Sequence, residues 1–237
     1  MTVLLLKVPT TMVFDTRCSI LIKEKFKEQE VNNIVEKLGN KPMTKSSHGF
    51  EKFGEIKIIQ AAKKQAKELL CSYGSKNAPV TLMSVILAAN RNYNKQVQPH
   101  VVRMRCEYSE LTFYELREML SKMNYEKFKD VWGHKDEKKY NTLKTLVERI
   151  LTLKKSDLND NLIMEKWAKE SNLQHRKQDV FGGVPNIGIA TFQHLRMCFG
   201  IDTVKPDKRV KEVLDREFGM KLSDIKAIIA VQEIAEI

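Results

Sequence analysis

Apolar residues recur at helical spacing along the chain from about residue 55 onward. Ile58, Ala62 and Leu69 belong to an amphipathic stripe that ends at Gly74, and the stretch after Pro79 is apolar nearly all round. The first pattern predicts a helix with one buried face and the second a fully buried helix. Further stripes lie on residues 112–123, 140–150, 159–167 and 225–237. The pattern therefore predicts a mainly α domain over residues 55–237.

Residues 1–54 differ from the rest of the chain in their residue types and in the pattern of apolar positions. Residues 2–8 and 11–22 are rich in β-branched and aromatic side chains, which favours strands. Residues 23–38 are charged and predict a helix with Phe26 and Val31 facing inward, and residues 39–53 read as a loop. We therefore expect a small N-terminal appendage, partly β, that ends at about residue 54.

A turn followed by a helix is predicted over about residues 183–199. Pro185 and Asn186 favour a turn, Gly188 permits an unusual backbone, and an apolar helical run follows from Ile189 until Gly200 closes it. A helix that starts directly after such a turn presents unpaired backbone N–H groups and the positive end of its dipole. This predicts a site for an anion such as a phosphodiester.

A carboxylate follows within a short distance, in the segment 203–217. Asp207 stands behind Pro206 and before the periodic run that begins at Val210, which is a helix N-cap position. Its neighbours Lys205, Lys208, Arg209 and Lys211 are all cationic. An acid surrounded by bases and close to a phosphate-binding turn suggests chemistry on a nucleic acid.

The overall charge agrees with a polyanionic partner. The chain of 237 residues carries 41 Lys and Arg against 30 Asp and Glu, a formal net charge of +11, although a well-solvated surface would look the same. The four cysteines are scattered without metal-ligand spacing, so we expect reduced thiols in an intracellular protein of the cytoplasm or nucleoid. No run approaches the ~20 apolar residues of a membrane span, and no membrane partner is expected.

The two motifs together resemble those of the helix-hairpin-helix (HhH-GPD) DNA glycosylases of base excision repair, including the endonuclease III-like and adenine mismatch enzymes. Asn186 replaces a glycine of the family's hairpin and also tolerates a left-handed turn. The matching positions are Val184, Pro185, Ile187, Gly188 and Thr191 in the hairpin, and Asp207, Val210 and Val213 in the second motif. The resemblance implies a two-lobed helical fold, with residues 79–199 in one lobe and residues 55–72 packed with the carboxy-terminal helices in the other.

The resemblance also implies an activity. Asp207 would stabilise the sugar cation that forms when the N-glycosidic bond of a flipped, damaged or mismatched base is hydrolysed. Ala190 stands where bifunctional members carry a Schiff-base lysine, so a monofunctional enzyme is expected. No cysteine follows Cys198, and the iron–sulfur cluster of some relatives is therefore not expected. The enzyme would act as a monomer on double-stranded DNA.

The resemblance further implies the contacts with DNA. Asn90 and Arg91 follow the helix whose polar end fills the gap left by the flipped base, although a plain helix end explains them equally well. The backbone carbonyls of Gly182, Val184 and Ile187 would hold a monovalent cation, Na⁺ or K⁺, that bridges to a phosphate. The complete set of expected DNA-binding residues is Asn186, Ile187, Gly188, Ile189, Ala190, Thr191, Asn90, Arg91, Lys205, Lys208 and Arg209.

The sequence is also compatible with two other classes of protein. A non-catalytic helix-hairpin-helix module would use the same hairpin and basic surface to bind DNA without base release. A Mg²⁺-dependent nuclease needs several convergent carboxylates, and only Asp202 and Glu212 lie near Asp207 in the sequence. The excised base is not readable, because a base pocket is assembled by folding.

Overall fold

The protein is mainly helical. A computed structural model describes residues 22–42, 56–64, 77–153 and 159–237. Within these ranges the one β pairing is an isolated antiparallel bridge between Pro42 and Lys57. The helices are α1 (Glu28–Gly39), α2 (Ala78–Ala88), α3 (Gln98–Glu107), α4 (Phe113–Lys122), α5 (Tyr125–Trp132), α6 (Glu137–Leu153), α7 (Asp160–Glu170), α8 (Ile189–Cys198), α9 (Lys208–Phe218) and α10 (Asp224–Glu236), with a π-helical segment, Tyr93–Val97, before α3 and a helical segment at residues 58–64. The predicted all-α character is confirmed.

The chain divides into two compact units. One unit comprises residues 1–72 and 202–237, and the other comprises residues 73–201. The resemblance implied one lobe of residues 79–199 and another of residues 55–72 with the carboxy-terminal helices, and this division stays a prediction. The glycosylase fold itself stays a prediction.

The central unit, residues 73–201, is built around α2. Every residue of α2 except Ser84 is buried, as the continuous apolar run predicted, and α2 contacts both α6 and α8. The helix begins where the side chain of Asn77 accepts a hydrogen bond from the Val80 N–H at 3.0 Å. Leu82, Met83 and Leu87 are among its fully buried side chains. The helix α8, which follows the predicted turn, is thus held against the core of this unit.

Helix boundaries in the central unit follow local capping chemistry. Thr112 and Glu115 form a capping box at the start of α4. Asn159 caps α7, and Gly133 ends α5 in the left-handed conformation with φ 75°. The two helix starts therefore lie where nearby side chains satisfy backbone N–H groups, and the end of α5 lies where the Gly133 N–H donates to the Lys129 carbonyl.

The other unit has its own core, formed by α1, α9 and α10. Its buried residues are Ile22, Val31, Leu214, Phe218, Met220, Ala227, Ala230 and Val231. The ring of Phe26 meets that of Phe218 edge-on at 5.6 Å, and the Ile22 N–H donates to the Glu233 carboxylate. Residues 22–42 thus belong to this core, which differs from the expected appendage ending at residue 54. The strands expected before Ile22 lie outside the described residues.

Two further sequence predictions concern the thiols and the membrane. Cys106 is exposed and Cys198 half-buried, and neither forms a disulfide with a described residue. Cys18 and Cys71 lie outside the described residues. Among the helices of the described ranges, none is long and apolar enough to cross a bilayer.

Candidate nucleic-acid interface

The predicted turn is present at residues 184–187. The Ile187 N–H donates to the Val184 carbonyl at 3.1 Å, and Asn186 has a left-handed backbone with φ 70°. With Pro185 before it, this is the pattern of a type II turn, whose third residue needs a positive φ. Asn186 adopts the left-handed conformation that glycine would otherwise supply, as expected. The side chains of Val184 and Ile187 are buried, which anchors both ends of the turn.

The N-terminus of α8 is uncapped and open. Its first backbone bond runs from the Phe192 N–H to the Gly188 carbonyl at 2.9 Å, and the N-cap residue Gly188 has no side chain to accept from the preceding N–H groups. The amides of Ile189, Ala190 and Thr191 therefore have no partner within the helix. A Cβ placed on Gly188 would meet nothing within 4 Å. An anion could approach these amides closely.

A threonine on α6 holds the turn in place. The Asn186 side-chain amide donates to the Thr142 hydroxyl at 3.0 Å, and that hydroxyl lies 2.8 Å from the Lys138 carbonyl and 3.3 Å from the Pro185 carbonyl. Thr142 is buried. Sequence reasoning missed it, because a threonine 44 positions before Asn186 carries no local signal of the contact.

The segment that leads into the turn is organised by Asp179. Residues 173–186 form successive turns and bends. The Asp179 carboxylate accepts the N–H groups of Phe181 and Gly182 at 2.7 and 2.8 Å, and the Trp167 indole N–H at 3.1 Å. An Asp two residues before a Phe-Gly-Gly stretch is a turn signal that could have been found in the sequence.

The carbonyls that were expected to hold a monovalent cation all accept hydrogen bonds from the protein. One guanidinium nitrogen of Arg176, Nη1, donates to the Gly182 carbonyl at 2.8 Å and to the Ile187 carbonyl at 2.6 Å. The third carbonyl, that of Val184, accepts the Ile187 N–H within the turn. The carbonyls as arranged here do not fit a bound Na⁺ or K⁺, because a cationic side chain already occupies the position between two of them.

The loop after α2 concentrates positive charge. Asn90 is exposed with a left-handed backbone, φ 57°, and the adjoining Arg91 is half-buried, with an enclosed Nη1 that has no hydrogen-bond partner among the described residues. Lys139 donates to the carbonyls of Leu87 and Ala89 at 3.0 and 2.6 Å. Burial, and then the charge of Arg91, lowers the pKa of Lys139 to about 8. Arg91 of the loop and Lys139 of α6 therefore bring two cationic groups together, with the acidic Asp136 acting on Lys139.

Asp207 lies in the other unit and is the N-cap of α9, as predicted. Its Oδ1 atom accepts the N–H groups of Arg209 at 3.0 Å and Val210 at 3.1 Å. Both bonds use one oxygen, and Oδ2 accepts no hydrogen bond from the described residues. The carboxylate is half-buried behind the buried Pro206. The local sequence alone explains this placement, since a carboxylate before a helix satisfies its first amides.

The basic residues around Asp207 differ in their exposure and in whether an acidic side chain lies close to them. Lys208 is exposed and lies 3.6 Å from Glu212, and Lys211 pairs with Asp224 at 2.8 Å. Arg209 is exposed and Lys205 half-buried. The charges of Lys205 and Arg209 are therefore the ones most open to an anionic partner in this segment.

The expected DNA-binding residues of the hairpin do not all have accessible side chains. Asn186 and Gly188 are exposed, and Ile189, Ala190 and Thr191 are half-buried. Ile187 is 4% exposed, its N–H and carbonyl are both hydrogen-bonded, and it supports the turn from within. The contact of Ile187 with DNA that the resemblance implied stays a prediction.

No known protein family, curated protein sequence or solved structure matches the chain. Within the part of the chain that the structure describes, no three His, Cys, Asp or Glu side chains converge as a metal site. The function is therefore inferred from the hairpin and from Asp207.

Proposed function

We propose that this protein binds duplex DNA and hydrolyses the N-glycosidic bond of a flipped, damaged or mismatched base. The observation that carries the proposal is the type II turn with its open helix N-terminus at the positions of the glycosylase hairpin motif. The Asp207 segment, which resembles the family's second motif, supplies the chemistry. Neither motif would suffice alone.

The hairpin binds a phosphate through its backbone. The amides of Ile189, Ala190 and Thr191 lack helical partners, and the dipole of α8 adds a partial positive charge there. Gly188 has no side chain to hold the phosphate away, since its Cβ position is open. Phosphate contacts of this kind position the protein on DNA without reading the sequence.

The loop after α2 supports the duplex on the same unit. Asn90 is exposed directly after the buried helix, which suits a side chain that fills the space left by an extruded nucleotide. Arg91 and the cationic groups near it favour the phosphate backbone.

Asp207 stabilises the charge that develops on the sugar. As the base leaves, the sugar becomes cationic, and an ionised carboxylate held close to it lowers the barrier and orients the attacking water. The cap geometry suits this role, because Oδ1 is fixed by two amides while Oδ2 stays available. Ala190 offers no amine, so the reaction ends at hydrolysis.

A non-catalytic DNA-binding module is the alternative, favoured by the fact that every described hydrogen bond of Asp207 is that of an ordinary cap. One experiment separates the two. Single-turnover base release is measured on a panel of lesion-bearing and mismatched duplexes, together with affinity as a function of salt. A glycosylase releases one class of base, and log affinity falls by about 0.9 per neutralised phosphate against log salt. Affinity without base release on any duplex indicates the module, and a flat salt response contradicts both readings.

A further inference from the structure

A cationic side chain of the protein, that of Arg176, lies at the hairpin. Nη1 of Arg176 lies between the carbonyls of Gly182 and Ile187, 2.8 and 2.6 Å from their oxygens, and joins the segment before the turn to the last residue of the turn. Both acceptors are neutral backbone oxygens. The Asp179 carboxylate accepts the N–H of the same Gly182 at 2.8 Å and so lies near the guanidinium, but it is not among the hydrogen-bond partners of Arg176 in the described residues.

The backbone at Gly182 lies so close to Arg176 that only glycine fits there. A Cβ on Gly182 would lie 2.4 Å from the Arg176 carbonyl oxygen and 2.5 Å from its Cγ atom. Any side chain larger than hydrogen at position 182 would therefore displace both the backbone and the stem of Arg176. The glycine and the arginine are coupled, so the arginine's position is built into the fold of the segment.

We propose that the guanidinium of Arg176 replaces a monovalent metal ion at the hairpin, bracing the turn and presenting a permanent positive charge to a DNA phosphate. The second half of this statement rests on the proposed function. Arg176 would act on the turn through the two carbonyls and on the phosphate through its charge. A permanent charge makes the hairpin indifferent to which monovalent cation is in solution.

The first test needs no DNA. Thermal unfolding of the parent protein and of Arg176→Met is followed in potassium, sodium and tetramethylammonium chloride at equal ionic strength. The parent should melt at one temperature in all three salts. The variant should melt lower, and K⁺ or Na⁺ should restore part of the loss while tetramethylammonium, which is too large to fit between the carbonyls, should not.

The second test measures affinity for an undamaged duplex in the same salts. In tetramethylammonium, Arg176→Met should bind about tenfold more weakly, the scale of a hydrogen bond to a charged group. Its log–log salt slope should be smaller by about 0.9, one phosphate contact. K⁺ should recover part of the affinity, and Arg176→Lys should keep the parent's indifference to the cation.

Arg149→Met is the matched control. Its Nη1 also donates to a backbone carbonyl, that of Val180, at 2.8 Å, but outside the turn. This variant should show no dependence on the kind of cation. If the parent melts or binds differently in K⁺ and tetramethylammonium, or if Arg176→Met behaves as Arg149→Met does, the proposal is overturned. Loss of DNA binding by the parent in every salt would refute the proposed function, while the melting data would still decide the role of Arg176.

Discussion

The proposed hydrolysis of the N-glycosidic bond depends on the charge of Asp207. The substitution Asp207→Asn removes that charge with little change in the shape of the side chain. In the parent, Oδ1 accepts the amides of Arg209 and Val210 at 3.0 and 3.1 Å. The asparagine side chain retains an oxygen at this position and is itself a good N-cap. The cap should therefore survive, and the carboxylate should be the only group lost.

The structural cost follows from these contacts. Losing a negative charge at a helix N-terminus costs about 0.3–1 kcal/mol, and a weakened cap adds a few tenths. A total near 1 kcal/mol corresponds to a melting shift of about 2–4 °C for a chain of this size. The kinetic cost should be far larger, because removing a preorganised electrostatic group slows chemistry by about 100-fold or more.

The assay is single-turnover base release at saturating protein, with melting and DNA affinity measured in parallel. Affinity should hold or rise, since a negative charge near the phosphates has gone. Asn124→Ala provides the matched control, because Asn124 caps α5 through the Lys127 N–H at 3.0 Å and should cost similar stability without slowing base release. If Asp207→Asn releases base at the parental rate, or slows only as much as Asn124→Ala does, Asp207 is a helix cap and the protein is a DNA-binding module.

Three further predictions concern the hairpin and the loop after α2. Gly188→Val should weaken duplex binding while costing no more than about 1 kcal/mol of stability, because its Cβ meets open space; unchanged affinity in a titration would mean that this face does not meet DNA. Borohydride should trap no covalent complex with an abasic duplex, since Ala190 has no amine, and a trapped band would remove the monofunctional label. Burial lowers the pKa of Lys139 from 10.5 to about 8, so between these values the unfolded chain binds more protons than the folded one. In urea titrations the parent's stability should rise with pH relative to Lys139→Met over that interval, and parallel curves would contradict the assignment.

Features that depend on neighbouring residues could be predicted from the sequence. The capping box of Thr112, the N-cap role of Asp207 and the left-handed turn at Asn186 all follow from chemistry within a few positions of each residue. The mainly helical character follows for the same reason, because a helix satisfies its backbone locally and its apolar face recurs at a fixed spacing.

Contacts between distant segments could not be predicted in this way. Ile22 reaches Glu233 across 211 positions, which places residues 22–42 in a core where composition alone had suggested an appendage. Thr142 fixes the turn from a different helix. Such contacts depend on which surfaces meet when the helices pack, and helical periodicity tells only that a face is buried and not what covers it.

Arg176 lies between these two cases. It is only 11 positions from Ile187, yet an arginine in a polar stretch looks like a solvated side chain, and nothing in the local pattern points to two carbonyls. The sequence by itself determined that the hairpin would form and where its amides would lie. Only the tertiary structure decided what occupies the carbonyls behind it, because that position is created when the turns of residues 173–186 fold back on one another and bring a side chain and two backbone oxygens within hydrogen-bonding distance.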